Sequence, residues 1–202
     1  MGARPTASHA HSINTTQRST LRNRGPLPAA RFTRVCTAIH SREMVRSFPE
    51  LAEALAGLPD LVLDGELVIL DDRGHPQFER IKRRGLMSRP LAVKHAAQAD
   101  PAVIVAFDLL MLKGKDLRKQ PLLARKAALQ SVLKNAKRVL YANHVGEHGE
   151  RLYAKAVELE LEGIVAKRAD SKYVSGRSHD WVKIKTPAGR YRESKRMEHL
   201  KR

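Results

Sequence analysis

Two carboxylates stand two residues apart in an otherwise apolar run, LDGELVILDD at 63–72: Asp64 and Glu66. Side chains at i and i+2 of a strand leave the same face, so Asp64, Glu66 and Val68 share one side and Leu63, Leu67 and Ile69 pack on the other. A third carboxylate, Glu162, opens the run EGIVAKR just before Gly163, whose missing side chain lets a ligand or another backbone come close. Carboxylates from separate strands can jointly hold a hard cation such as Mg²⁺. Each can equally neutralise one of the many Arg and Lys residues, and spacing alone favours that simpler role. Near the C-terminal end, DWVKIK (180–185) alternates Trp181, Lys183 and Lys185 with Val182 and Ile184. Two lysines on one strand face suit phosphate oxygens, although a solvated basic edge that blocks strand addition would look the same. Val182 and Ile184 are expected to face the core. Phe107, inside AVIVAFDLLML, is a core residue by default and becomes chemically interesting only beneath a planar base.

These residues need elements to hold them. SFPELAEALAGLP predicts a first helix, with Ser47 and Glu50 spaced as a capping box and Gly57 as its stop. Residues 61–70 predict a strand closed by the turn DDRGHP. QFERIKRR predicts a short helix, followed by a loop-like basic segment through residue 100. Residues 102–112 are nearly continuous in apolar character, as expected of a strand covered on both faces. PLLARKAALQSVLK predicts a helix with Pro121 at its start and Leu122, Leu129 and Leu133 on one stripe. A short strand near RVLYANHV, a helix over GERLYAKAVELE, and strands at 162–168 and 180–185 complete the pattern. Without a strict βαβ rhythm, this order predicts an α+β fold with largely antiparallel sheets.

Composition narrows the partners. Lys+Arg 38 against Asp+Glu 21 gives a net charge of +17 in 202 residues, a balance that favours polyanions. Aromatics at 4% argue against a single-strand binder built on stacking platforms. Cys36 is the only cysteine, which excludes an internal disulfide and a thiolate-rich zinc site. His144 and His148, four apart in NHVGEHGE, lack a third ligand nearby and are expected at the surface. No apolar run approaches the roughly 18 residues of a membrane span. Residues 1–42 contain no Asp or Glu, and no lysine occurs before Lys82. This Arg-, Ser- and Pro-rich opening reads as unstructured; an organellar transit peptide and a shifted reading frame are further readings of it.

In order, LDGELVILD, VAFDLLMLKGKDL, EGIVAKR and DWVKIK resemble four consecutive motifs of the ATP-dependent DNA ligases, most closely the ligase module of bacterial end-joining ligases. The connecting stretches RSFPELAEALAGLP, QPLLARKAAL and ADSKYVSGRSHDW look like that family's as well. The resemblance runs from about residue 45 to about residue 187. It implies an ATP-grasp-like nucleotidyltransferase domain of mainly antiparallel sheets with flanking helices, incomplete at its N-terminus. The expected division is an unmatched Arg-rich segment at 1–45, a partial adenylation domain at 46–187 and a basic tail at 188–202.

Carried over position by position, the resemblance implies that Glu66 belongs to the nucleotide and metal environment and that Phe107 stacks on adenine. It places Glu162 at the Mg²⁺ site, and Lys183 and Lys185 on the phosphates of ATP; Asp64 is left to shape the turn. The implied chemistry is covalent nucleotidyl transfer: a lysine amine attacks the α-phosphate, pyrophosphate leaves, and the AMP passes to a 5′-phosphate at a DNA nick. The family's Lys-x-Asp-Gly nucleophile would fall near residues 20–25, which read TLRNRG. Arginine there is no substitute, because its guanidinium stays protonated. The family's oligonucleotide-binding barrel also exceeds the sixteen residues, 187–202, that follow Thr186. The expectation is a truncated ligase-family chain for strand joining in repair and recombination, without catalytic lysine and inactive in ligation alone. A non-catalytic ATP- and DNA-binding module is the alternative, and a nucleophile borrowed from Lys82, Lys94 or a second chain is the third reading. The implied partners are nicked or broken double-stranded DNA and a partner ligase or end-joining proteins, with no membrane, in a bacterial cytoplasm at the nucleoid.

Overall fold

The computed structural model describes residues 11–14, 34–36, 46–72, 74–176 and 178–199. Its spine is an antiparallel pair, β3 (Leu61–Ile69) and β4 (Ala102–Leu112). Leu63, Leu67 and Ile69 sit opposite Leu109, Ile104 and Ala102 in the register, and all are buried. Helix α4 (Leu122–Leu133) closes this face with Leu129 and Leu133. Burial of each such Leu or Ile contributes about 1.5–3 kcal/mol, so the alternation seen in the sequence fixes which side of β3 carries its carboxylates.

The sheet extends through β2 (Arg34–Cys36), parallel to β3. On the other edge of β4 lie β5 (Lys115–Asp116), antiparallel, and β6 (Val139–Tyr141), parallel. A second sheet has the order β1 (His11–Asn14), β7 (Gly163–Arg168), β8 (Trp181–Lys185), all antiparallel. Helix α5 (Gly149–Glu158) covers one side of β7, where Ala156 meets Ile164. The mixed helical and antiparallel architecture is the expected one. The segment proposed as the missing nucleophile position, 20–25, lies outside the described residues, as does most of the stretch 1–45.

Three local expectations are corrected. Helix α1 (Pro49–Ala56) has no side-chain cap: Glu50 turns inward, where its carboxylate meets the buried Arg84 guanidinium at 3.0 Å and accepts the Ala102 amide. Arg84, at the end of α2 (Phe78–Gly85), also donates to the Ser47 and Asp100 carbonyls and sits 5.0 Å from the Phe48 ring centroid. Burial of the pair overrides the local capping pattern. The supposed basic loop contains α3 (Pro90–Ala99), begun by a proline in its first turn and carried by alanine-rich sequence. In β8 the burial is inverted: Val182 and Ile184 are 51% and 40% exposed, while the lysine face is more covered. Val182 and Ile184 lie on the α5 side of the sheet, opposite Ala166 and Ile164, but at its edge.

Helix α6 (Pro187–His199) follows β8 at once. The Thr186 amide donates to the Glu162 carbonyl at 3.1 Å, its hydroxyl donates to the Leu161 carbonyl, and the same oxygen accepts the Gly189 amide at 3.1 Å. A Cβ at Gly189 would overlap the Glu162 carbonyl oxygen, so only glycine allows the helix to seat there. No helix among the described residues is long and apolar enough to cross a membrane.

Candidate functional site

The two sheets meet where Lys167 of β7 lies over Phe107 of β4 and where the Tyr173 hydroxyl reaches Asp64 of β3. Register places Glu66 opposite Val105 and Asp64 opposite Asp108, with a slip between Asp64 and Gly65 that passes over Phe107. This irregularity is a β-bulge, a device that re-aims a side chain. The half-buried Phe107 ring is met from the second sheet by Lys167, whose ammonium lies 4.2 Å from its centroid and 3.6 Å from that of Trp181. Lys167 and Trp181 are cross-strand neighbours, as are Val165 and Lys183, and Gly163 and Lys185. Trp181, Lys183 and Lys185 therefore line one face, as their alternation predicted. Gly163 serves the second of its two expected purposes: a Cβ there would overlap the Ile184 carbonyl, so its absence lets β8 pack close.

The charges are internally matched. Lys183 pairs with Glu162, and Lys185 pairs with Glu193 of α6. Asp64 does more than shape a turn, since it accepts a hydrogen bond from the Tyr173 hydroxyl at 2.9 Å. The Tyr173 ring stands edge-on to Trp181, 5.6 Å away at 81°. Beneath it runs a buried clamp that sequence reasoning did not single out: Arg125 Nε and Nη2 donate to the two carboxylate oxygens of Asp108 at 2.7 and 2.8 Å, and Nη1 donates to the Ser171 carbonyl at 3.0 Å. Neither side chain is exposed. Charged residues at 125 and 126 within a leucine stripe were the available signal, but their partners are remote in sequence.

Lys126 is buried too, and burial pushes its ammonium down to about 8, against a smaller opposing pull from Asp108. It donates to the Ala142 carbonyl at 3.0 Å and to the Phe107 carbonyl at 3.5 Å, and lies 4.6 Å from the Tyr141 centroid. His144 is half-buried rather than a plain surface histidine, with Nδ1 3.0 Å from the Tyr141 hydroxyl. Burial, then the Lys126 charge, hold His144 below its ordinary value. His148 is exposed, at the start of α5.

The motifs that supply these strands belong to a known domain: the ATP dependent DNA ligase domain model matches residues 31–185. The chain belongs to the ATP-dependent DNA ligase domain family. A multifunctional non-homologous end joining protein LigD from Pseudomonas aeruginosa is 33% identical over 72% of this chain and 17% of that protein. A DNA ligase from Thermococcus fumicolans is 33% identical over 73% of this chain and 28% of its own length. Among solved structures, the ligase domain of LigD from M. tuberculosis aligns with TM-score 0.54 and 34% identity, over 72% of this chain and 43% of that one. A mycobacterial DNA ligase D complexed with ATP and MES gives TM-score 0.54 and 33% identity, over 70% and 42%. The chain thus spans less than a third of these two full-length relatives and under half of either ligase structure, and its fold is that of the ligase nucleotidyltransferase domain.

Proposed function

We propose that this ligase-family chain binds ATP between its two sheets and presents it to nicked or broken double-stranded DNA, without itself forming the lysyl adenylate. Phe107 supplies the stacking platform for adenine. Lys183 and Lys185 take the phosphates, for which Glu162 and Glu193 stand in when no nucleotide is present. The observation that carries this reading is the contact of Phe107 with Lys167, on the face of the second sheet that also carries Trp181, Lys183 and Lys185. Polyphosphate oxygens offer more negative charge than a single carboxylate, so exchange of partners at the lysines is favourable. The net charge of +17 suits a DNA partner.

The residues also fit a divalent cation in a limited way. The described residues hold no group of three or more His, Cys, Asp or Glu side chains that could cage a metal by themselves. Glu66 and Glu162 would hold Mg²⁺ in the manner usual for that ion, with water and substrate phosphates completing the shell. When bound it would neutralise charge on the phosphates. The absence of any lysine in residues 1–81 supports the second half of the reading, since the expected nucleophile position falls inside the chain.

Equilibrium binding of ATP, together with incubation in α-labelled ATP and Mg²⁺, tests both halves. The expected result is saturable ATP binding with no acid-stable label on the protein. An adenylated lysine would overturn the claim of inactivity, and undetectable ATP binding would overturn the nucleotide reading. Nick-containing duplex that binds no better than a neutral polymer at moderate salt would remove DNA as the partner.

A further inference from the structure

The register slip opposite Asp64 has a consequence for Phe107. Pairing passes from Asp64–Asp108 to Gly65–Ala106, so Phe107 faces no residue of β3. On the other edge of β4, the β6 ladder reaches Ala106, whose carbonyl accepts the Ala142 amide at 2.8 Å. The backbone at Phe107 is thus where regular sheet support is interrupted. Its carbonyl turns toward α4 and meets Lys126 Nζ at 3.5 Å, while the same ammonium donates to the Ala142 carbonyl at 3.0 Å. The side chain is wholly buried, and an ammonium in such a place is costly unless it satisfies groups that would otherwise be stranded.

We propose that Lys126 is a positioning residue for the Phe107 platform: its ammonium ties the carbonyl of the bulged residue to the carbonyl of Ala142 and so fixes the ring on which a purine stacks. This rests on the reading of Phe107 as the base platform. A hydrogen-bonded bridge between β4 and the residue following β6 anchors Phe107 just beyond the end of the β4–β6 ladder, where its pairing with β3 is interrupted. The Tyr141 ring flanks the ammonium at 4.6 Å, and His144 fixes the Tyr141 hydroxyl. Asp108 of β4 also faces this group, but its carboxylate is committed to Arg125, the neighbour of Lys126 on α4. Lys126 touches none of the residues assigned to the phosphates. Its contribution belongs to the base and not to the triphosphate.

That separation gives the test. ATP, adenosine and inorganic tripolyphosphate are titrated by calorimetry into the chain, Lys126→Met and Lys126→Arg, with amide exchange followed over 102–112 in the ligand-free proteins. Lys126→Met is expected to weaken ATP and adenosine about tenfold, the order of one stacked base, to leave tripolyphosphate unchanged, and to speed exchange around Phe107. Lys126→Arg, which keeps a buried donor and the charge, is expected to recover part of the loss. The Arg variant keeps the idea open to refutation even if Lys126→Met folds poorly. Equal weakening of all three ligands by Lys126→Met, or an Arg variant that weakens ATP and tripolyphosphate alike, would overturn the proposal. If the wild-type chain takes tripolyphosphate but shows no preference for adenine, the platform reading itself has failed, and exchange alone decides: faster exchange at 106–108 in Lys126→Met supports the tie, unchanged exchange overturns it.

Discussion

Arg125→Met offers a stringent test of how the two sheets are held together. The guanidinium is fully buried and makes a two-point bond to Asp108, whose carboxylate is equally buried. It also donates to the Gln120 and Ser171 carbonyls and lies 5.9 Å from the Tyr173 centroid. Removing it strands a carboxylate that retains the Leu109 amide as a donor within β4. The loss of one partner from such a pair costs about 3–5 kcal/mol. For a chain of this size each kcal/mol lowers the melting temperature by about 2–4 °C, so a fall of roughly 6–20 °C is expected. Urea unfolding followed by the fluorescence of Trp181, the only tryptophan, measures the loss and also reports on the site, because Tyr173 links Trp181 to the clamp. Adding Asp108→Leu removes the stranded charge and should restore much of the stability, since an apolar pair of similar volume is often no worse than a buried ion pair. A loss below about 1 kcal/mol, the scale of exposed pairs, would refute the reasoning. So would a double variant no more stable than the single.

Other expectations follow from individual contacts. Glu193→Gln removes the carboxylate held by Lys185 and should strengthen tripolyphosphate binding by about two- to fivefold, the scale of a partly exposed pair; calorimetry at two salt concentrations checks it, with the gain shrinking at the higher one. Gly189→Ala forces a methyl against the Glu162 carbonyl and should cost about 1–3 kcal/mol, seen in urea unfolding. Lys126, lowered from 10.5 to about 8 in the folded chain, leaves the unfolded chain holding more protons between those values. Its contribution therefore makes stability rise as pH increases through that window, by at most about 3 kcal/mol. The difference in unfolding free energy between wild type and Lys126→Met at pH 7.5 and 9.5 isolates it.

What was legible in the sequence was whatever depends on local pattern. The alternation of Leu63, Leu67 and Ile69 located the core face of β3, and the leucines of α4 located its buried stripe. The shared face of Lys183 and Lys185 followed from period two alone. Which face of β8 is better covered did not, because alternation is symmetric and the answer depends on where the other sheet lies. Helix α3 was hidden by its basic surroundings, although a proline at its start and a run of alanines were there to be read. Arg125 and Lys126 were passed over beside the leucine stripe. Their partners, Asp108 seventeen positions away and the Ala142 carbonyl sixteen away, exist only once β4, α4 and β6 are packed. Glu50 was misread for the same reason, since its partner Arg84 is 34 residues distant.

The seating of α6 on the Glu162 backbone makes that helix a lever with its fulcrum beside the carboxylate. Thirteen residues at a rise of about 1.5 Å each reach about 20 Å, whereas the contact at Gly189 has no room for even a methyl group. A tilt that swings the far end by several ångströms displaces the fulcrum by a small fraction of that, so gross motion at one end becomes fine adjustment at the other. Whatever grips the outer turns of α6 thereby holds a vernier on the position of Glu162.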